Sequence, residues 1–569
     1  VFQNNVLSGA AGSGTTVHAI NQSIRFNDDD SPYMARTFGT PTDAKKWTLS
    51  AWVKLHGKTD GATGGVRLLD VGSPAGSEDL LSIGSGYAGF SKIYFWSRTS
   101  SSYDWRLETT AEYRDPSAWM HLTFVFDSDN TLSVERMRLF VNGERVTNFS
   151  QESYPSSGDA SRINTAVEHR IGNTVYSTSN YSDGYAAEMV FIDGQALTCD
   201  SFGEFNSSGI WIPKDVSGLT FGNNGYHIDG RDASDLGDDE SGNGNDFTTY
   251  GLAAHDQVFD TPTNNFPTLN PLDWGIRNAA NSVPLSEGNL KFTGSNSIGV
   301  YGTYNATVQV PSSGGWYFEM RVTSIGSVDK DDMYLYVAGI NFFGDGSVTG
   351  SGSYGSAWSA GDILGVAVNA TGIWLSINGT YQNSGNPATG SNSAGTPSTT
   401  SREIITGDGS ATTNSSLSGI LNFGQDSTFA GATSAGGNSD ASGVGNFKYS
   451  VPSGFKALCT KNMGAPTIPN GEEHFFPIIY EGNGAGRRVG KFVPFTDNGT
   501  ITNSVIFNDA DNAYLSRTND AGDRTRVTIS VWVKRCALGA VQHIFDTYDG
   551  SSTNDGYIRF NADNTISTR

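Results

Sequence analysis

Cysteine is scarce: Cys199, Cys459 and Cys536 are three residues among 569, far apart and without a C-x-x-C pair. This excludes a disulfide scaffold and a cysteine-built zinc site, and leaves thiols that are most simply buried and reduced. The eight histidines are dispersed with no H-E-x-x-H or H-x-H spacing, so the linear sequence supports no histidine metal site. A G-x-S-x-G elbow and a P-loop are missing too. No apolar run approaches the roughly 18 residues of a membrane-spanning helix. Positive charge is in short supply, 36 Lys and Arg against 58 Asp and Glu, for a net charge of −22. Such a surface repels phosphate backbones and anionic lipid, so neither nucleic acid nor membrane insertion is expected, and the charge otherwise serves solubility. Residues 1–7 have neither a basic region nor an apolar core, so no secretory signal is expected; Val1 suits a cytoplasmic product that has lost its initiator Met.

What the chain has in excess is glycine, 70 residues, alongside an 11% share of aromatics. Glycine at this level, against roughly 7% usually, punctuates many turns, and the aromatics supply enough apolar area for folded cores. Strand signals match. Thr48-Leu49-Ser50-Ala51-Trp52-Val53 and Met137-Arg138-Leu139-Phe140-Val141 are β-rich, and the second runs into Asn142-Gly143, the signature of a two-residue hairpin turn. The arrangement returns as Ile373-Trp374-Leu375-Ser376-Ile377 before Asn378-Gly379. No long window carries a helical period with caps. The expected fold class is all-β, with tandem antiparallel β-sandwich (jelly-roll) domains joined by loop-rich connectors.

An internal repeat sets the domain plan. Residues 23–37 (SIRFNDDDSPYMART) recur as residues 504–518 (SVIFNDADNAYLSRT) at an offset of 481, and residues 48–54 return as 528–534 at an offset of 480. Two segments recurring nearly in register mark a duplicated fold unit. We therefore expect an N-terminal arm at 1–22, a first sandwich at 23–200, a connector at 201–260, a second sandwich at 261–460, a second connector at 461–500, and the incomplete start of a further sandwich at 501–569. The Gly/Ser/Thr/Asn-rich stretch 383–418 is expected to be a long surface loop, because it offers little to a core.

The first unit resembles the laminin-G-like, concanavalin-A-like jelly-roll family. The matching pieces, in family order, are residues 23–26, the strand at 47–54, WMHLTFVFD at 119–127, RLFVNG at 138–143, HRIGN at 169–173 and GYAAEMVFI at 184–192. The middle unit resembles the SPRY family, a β-sandwich that usually serves as a protein-interaction module. It does so through GWYFE at 315–319, Tyr354-Gly355, GDILGVAV at 361–368, ING at 377–379 and NFGQ at 422–425, with Asn369 where that family often has Asp. The phrases FGNNGY at 221–226, residues 239–247, DTPTNNF at 260–266 and GFKALC at 454–459 are similar to those of virion structural proteins of tailed bacteriophages, which string such modules in this order. The resemblance implies a non-enzymatic virion surface protein: a tail fibre, spike or capsid-surface fibre that displays its sandwiches for attachment to host-surface glycan. It further implies synthesis in the host cytoplasm, assembly with other virion proteins, and a homo-oligomer, usually a trimer.

Folds of this class also host glycoside hydrolases, which need two carboxylates across a cleft, about 5–5.5 Å apart or wider. Within one strand that geometry shows as acids at alternate positions, and no E-x-D-x-E triplet occurs. Glu108 and Glu112 lie four apart with Thr110 between them and read as solvated strand-edge acids. A polysaccharide-degrading tailspike is the alternative reading, and a secreted adhesin, which needs a signal or anchor, is a third. His121, beside Trp119, is expected to be a packing residue. No cofactor is required, but Asp238, Asp239, Ser241, Asn243, Asn245 and Asp246 crowd into nine residues around Gly242 and Gly244. Those oxygens suit Ca²⁺, and equally an Asx-rich turn without metal. For glycan, the aromatics in loop-like surroundings, Tyr87, Phe90, Tyr103, Tyr176 and Tyr181, are the candidates to stack on sugar rings; their other reading is as covers of the sandwich ends.

Overall fold

The computed structural model describes residues 18–56, 65–73, 77–84, 92–100, 102–175, 180–206, 209–274, 285–294, 303–327, 329–350, 352–408, 416–463, 504–518, 528–535, 539–547, 556–563 and 565–569. Its contacts divide the chain into a unit at 1–500 and a unit at 501–569.

The first unit begins with a sandwich of two eight-stranded sheets. One sheet runs Glu144–Arg145, Met137–Val141, Met120–Asp127, Lys46–Leu55, Gly184–Asp193, Ser23–Phe26, Gln257–Val258, and Tyr226–Ile228 also pairs with Gly184–Asp193. The other runs Phe149–Ser153, Ser102–Thr109, Ile93–Thr99, Ser77–Ile83, Val66–Ser73, Glu168–Ile171, Tyr33–Thr37, Thr248–Tyr250. Every pairing in both is antiparallel. Alternation along a strand explains the core. On Lys46–Leu55, Trp47, Leu49, Ala51 and Val53 face inward and join Phe95, Trp105, Phe124, Phe126 and Phe191. Trp47 stacks on Phe126 with ring centroids 5.4 Å apart.

Both Asn-Gly turns form as the sequence predicts. Asn142 and Gly143 have φ of +47° and +81°, and Asn378 and Gly379 have +50° and +80°, the left-handed pair that a type I′ hairpin demands. Each turn asparagine also extends the ladder: Asn142 Oδ1 accepts from the His121 amide at 2.7 Å, and Asn378 Oδ1 from the Ile363 amide at 2.9 Å. Gly143 is required twice over, since a Cβ there would stand 2.3 Å from the Trp211 ring.

Residues 201–260, read from sequence as a connector, are loop-rich but do more than connect. They supply Tyr226–Ile228, Thr248–Tyr250 and Gln257–Val258 to the two sheets. They also lay Phe202, Trp211, Val216 and Phe221 over Trp52, Val190 and Ile192 on the first sheet's outer face. That face is apolar and has to be covered, because bare apolar area of this extent costs free energy in water.

The second sandwich has a seven-stranded sheet, Leu269–Trp274, Thr303–Ala306, Ile404–Asp408, Met333–Val337, Ile340–Phe343, Ser347–Val348, Gly352–Ser353. Against it stands Leu285–Ser286, Lys291–Phe292, Leu417–Asn422, Trp316–Ile325, Ile363–Val368, Ile373–Ile377, Thr380–Tyr381, with Lys456–Ala457 parallel to Trp316–Ile325. The stretch 383–418 is therefore not a surface loop throughout. Ile404–Asp408 lies mid-sheet, paired on both sides, with Ile404 and Thr406 buried. Its β-branched Ile404-Ile405-Thr406 is a short strand signal that the polar surroundings mask in the sequence.

Buried charge joins the two sandwiches. The Arg25 guanidinium, on the first strand, is fully buried, 3.3 Å from Asp426, 3.4 Å from Glu287 and 3.6 Å from Asp256. Lys54 Nζ, also buried, donates to Asp260 Oδ2 (2.7 Å), Asn265 Oδ1 (2.7 Å) and the Phe266 carbonyl (2.9 Å). Asp260 in turn accepts from Trp119 Nε1 at 3.0 Å, and the Tyr185 hydroxyl donates to the Gly288 carbonyl at 2.7 Å. Cys199 and Cys459 are buried free thiols; Cys536 lies outside the described residues.

In the unit at 501–569 one local piece of the repeat recurs, whereas residues 504–507 and 528–534, whose first copies lie in strands, form no strand. Asp509–Asp511 forms the same 3₁₀ turn as Asp28–Asp30, and Asn508 Nδ2 bonds Asp511 (2.9 Å) as Asn27 Nδ2 bonds Asp30 (2.8 Å). Gln542–Thr547, Gly556–Phe560 and Ile566–Thr568 make a three-stranded antiparallel sheet. Val505, Phe507, Leu515 and Trp532 are 64, 55, 78 and 74% exposed where their first-copy equivalents Ile24, Phe26, Met34 and Trp52 are 1, 0, 0 and 5%.

Arg25→Met would leave three carboxylates around a neutral side chain, and we expect a loss of about 3–5 kcal/mol in denaturant unfolding at pH 7.5. Burial raises Glu287 and Asp256 above the ordinary carboxylate range, against the pull of Arg25. Each therefore binds its proton more tightly folded than unfolded. Stability at this junction falls as pH rises above the ordinary carboxylate values, so the defect is expected to shrink at pH 5.

Candidate functional site

The second sheet of the first sandwich turns one set of side chains into the core and presents the other outward. Along Ile93–Thr99, Ile93 and Phe95 belong to the core, whereas Tyr94 and Trp96 form a separate cluster with Leu80. Register places Trp96 opposite Arg106 and Tyr94 opposite Glu108. On this face Tyr103 meets Trp96 edge-on at 5.6 Å, the Arg106 guanidinium covers Tyr103 at 4.3 Å, and that of Arg98 covers Trp96 at 5.0 Å. The arginines are themselves held: Arg98 by Glu78 at 2.8 Å, Arg106 by Glu108, and Glu108 also by Lys92 at 2.8 Å. Glu108 is thus not the solvated acid expected from sequence. Burial opposes its ionisation, and Lys92 and Arg106 outweigh that and hold it below the ordinary range. Glu112 pairs with Arg114.

A second aromatic group lies on the same face, four inter-strand steps or about 19 Å across the sheet. Tyr33 stacks on Tyr250 with centroids 4.5 Å apart and planes 7° from parallel, and the Arg170 guanidinium covers Tyr33 at 4.8 Å. Tyr181 completes the group 6.5 Å from Tyr33. Tyr250 and Tyr103 are 45 and 40% exposed. Between the two groups lie the buried acids Asp70 and Glu78; burial first, then Glu78, pushes Asp70 well above the carboxylate range. Flat aromatic surfaces edged by fixed donors are what a pyranose needs, apolar stacking on its C–H face and hydrogen bonds to its hydroxyls.

Of the five aromatics singled out in the sequence, Tyr103 and Tyr181 stand on this face; Tyr87, Phe90 and Tyr176 lie outside the described residues. Sequence reading missed Tyr33, Tyr250, Trp96 and the arginines beside them. Tyr94-x-Trp96-x-Arg98 is a period-two signal that could have placed the last two on one face; Tyr250 could not be found, because only the fold sets it beside Tyr33.

The oxygen-rich loop adjoins the Tyr250 edge. Its Asp239 carboxylate accepts from the amides of His227 (2.8 Å), Ser241 (2.9 Å) and Asn245 (2.8 Å) and from Ser241 Oγ (2.7 Å). Asn243 and Asn245 each donate twice to carbonyls of 222–225, and Arg36 bonds Asn245 Oδ1. Burial, then repulsion from Asp246, raises Asp238 above its ordinary value.

His121 is a packing residue with full polar pairing: Trp211 Nε1 donates to Nδ1 at 3.0 Å, so Nε2 carries the proton toward Ser50 Oγ at 2.7 Å. His169 stacks on Phe38 at 3.7 Å, its Nε2 accepting from the Asn164 amide at 3.2 Å.

Residues 27–200 match the family model for the concanavalin A-like lectin/glucanases superfamily. No curated protein sequence matches the chain. Among solved structures, a candidate carbohydrate-binding protein from Bacteroides ovatus is 16% identical with a TM-score of 0.26, over 41% of this chain and 58% of that one. The chain thus spans less than two thirds of that protein's length. The LG4-5 domains of mouse laminin α1 are 10% identical over 72% of this chain and 90% of theirs, TM-score 0.24. The CBM40 of Ruminococcus gnavus IT-sialidase, bound to α2,3 sialyllactose, is 18% identical over 32% of this chain and 96% of its own, TM-score 0.22. Likenesses this distant assign no ligand.

Burial pushes both His121 and His169 down to about 3. Unfolded, each takes its proton near 6.5, so their contribution is complete above that pH and is lost as pH falls toward 3. His169→Gln is expected to shrink the difference in unfolding free energy between pH 7 and pH 5 by about 2 kcal/mol, measured by denaturant titration.

Proposed function

We propose that this chain is a non-enzymatic glycan-binding protein of a tailed-bacteriophage surface, a tail fibre, spike or capsid-surface fibre, and that it engages host-surface glycan through the outer face of the first sandwich's second sheet. One observation carries the glycan reading: two aromatic groups on one sheet face, Tyr33 with Tyr250 and Trp96 with Tyr103, each covered by an arginine. Such pairs are rigid before binding, so little ordering entropy opposes it. The superfamily match over residues 27–200 supports the reading. The phage assignment rests on the phrases at 221–226, 239–247, 260–266 and 454–459, and within it the SPRY-like second sandwich contacts other virion proteins and the chain assembles as a homotrimer. Calcium belongs to the same reading, at the loop formed by Asp238, Asp239, Ser241, Asn243, Asn245 and Asp246, with the Asp238 and Asp246 carboxylates as its anionic ligands.

Biolayer interferometry on a panel of immobilised bacterial surface polysaccharides is expected to find a ligand whose affinity drops about tenfold on Tyr250→Ala and again on Tyr103→Ala, the loss of about 1.4 kcal/mol of stacking at each. Incubation with that ligand is expected to release no new reducing ends. Binding that neither variant changes moves the site elsewhere; release of oligosaccharide establishes the depolymerase alternative. Antibody labelling of intact particles locates the protein on the virion. For calcium, the melting temperature is expected to rise on Ca²⁺ addition in the wild type and not in Asp238→Asn, and identical melts in Ca²⁺ and in chelator remove the ion from the reading.

A further inference from the structure

The histidines that are scattered in sequence do not stay scattered in space. Glu188 lies in the strand Gly184–Asp193 where the pairing to Lys46–Leu55 jumps from Ala187 opposite Trp52 to Val190 opposite Ser50. At this bulge Glu188 has φ of +48°, a conformation that costs a long side chain free energy and persists only where the surroundings enforce it. The bulge turns its carboxylate, which is buried, toward two imidazoles. His227 Nε2 lies 2.8 Å from Glu188 Oε2, and His18 Nε2 lies 3.8 Å from Oε1, beyond hydrogen-bond length. Asp229, two residues along from His227, brings a second carboxylate, so that Glu188, His227 and Asp229 each place a ligand atom within 4.8 Å of the other two. Arg231 holds Asp229 through its backbone amide (2.9 Å) and Nε (2.6 Å). The His227 amide bonds Asp239 at 2.8 Å, which steadies the imidazole's backbone from the other side. A cavity with room for no more than about one water adjoins Glu188.

We propose that Glu188, His227 and Asp229, with His18 as fourth ligand, form a binding site for a divalent transition metal of the Zn²⁺ class. Two imidazoles and two carboxylates are a nitrogen and oxygen set that suits Zn²⁺ and disfavours Ca²⁺, which prefers oxygen alone. Tetrahedral bonds of about 2.0–2.2 Å put ligand atoms about 3.3–3.5 Å apart, so the Glu188–His227 contact has to open by about half an ångström, Asp229 has to draw in from a separation of up to 4.8 Å, and His18, which is 3.8 Å from Glu188 but outside the group of three, has to swing toward the other two. A metal here joins the segment at His18 to the bulged strand and to the covering residues 226–229, and its role is that of a staple.

The test is calorimetric titration of the chelator-stripped 569-residue chain with Zn²⁺, and with Ca²⁺ for comparison. We expect one Zn²⁺ per chain, an affinity at least tenfold weaker in Glu188→Gln and in Asp229→Asn, no change in Asp238→Asn, and a melting temperature that Zn²⁺ raises in the wild type and in Asp238→Asn but not in the Glu188 and Asp229 variants. No Zn²⁺ uptake, uptake that the Glu188 and Asp229 variants retain, or preference for Ca²⁺ overturns the proposal. Should Glu188→Gln fail to fold by circular dichroism, Asp229→Asn decides, because Asp229 lies outside the bulged strand and the change keeps its side chain nearly isosteric.

Discussion

The first unit depends on two cations that have been taken out of water. Arg25 and Lys54 sit on the outer side of the first sheet, and an unpaired charge in such a place costs several kcal/mol. Their partners come from later in the chain: Asp256 and Asp260 from the segment that leaves the first sandwich, Glu287 and Asp426 from the second. The first sandwich is therefore not finished until the second has delivered its acids, and the pair is held in one arrangement by charge geometry as well as by the Tyr185–Gly288 hydrogen bond. The repeat sharpens the point. Residue 506, equivalent to Arg25, is isoleucine, so the unit at 501–569 repeats the 3₁₀ turn and its Asn–Asp bond without the charge that calls for a docked neighbour.

That junction leaves the first sandwich with two unlike outer faces. Away from Arg25 and Lys54 the first sheet's face is largely apolar and is closed by Trp211, Phe202, Val216 and Phe221, with His121 and Ser50 hydrogen-bonded beneath the cover. The second sheet's face carries tyrosines, a tryptophan and arginines, and the arginines lie over the rings while their charges are met by Glu78, Glu108 and Glu168. A face built of flat rings with pinned cations is preorganised, which is the property a weak, many-hydroxyl ligand such as a glycan requires of a protein surface. Of the acids near it, Glu108 is held in the carboxylate form by Lys92 and Arg106, whereas burial and then Glu78 raise Asp70 well above the ordinary carboxylate range.

How far the sequence could be read varied with the range of the interaction. Asn142-Gly143 and Asn378-Gly379 were legible because a hairpin turn is a contest among neighbours, and both adopt the left-handed pair that the residues predict. The repeat was legible for the same reason, down to a side-chain bond between residues three apart. Composition misled where a strand was brief: Ile404–Asp408 sits mid-sheet inside a Ser/Thr/Asn-rich stretch, and pairing on both sides rather than its own propensity holds it there. It misled again for Glu108, whose surroundings are supplied by Lys92 and Arg106 across the sheet.

By itself the sequence determined the class of fold, the turn positions and the recurrence of one 3₁₀ turn with its Asn–Asp bond, since each rests on periodicity or on local backbone preference. Tertiary structure alone decided which faces are covered and which are free, and so placed Tyr250 on Tyr33, Arg25 among three acids, and His18 and His227 on either side of Glu188. Those contacts join residues from about 40 to about 400 positions apart, and nothing in a linear pattern encodes them, because sheet order and register, not spacing along the chain, set which side chains meet.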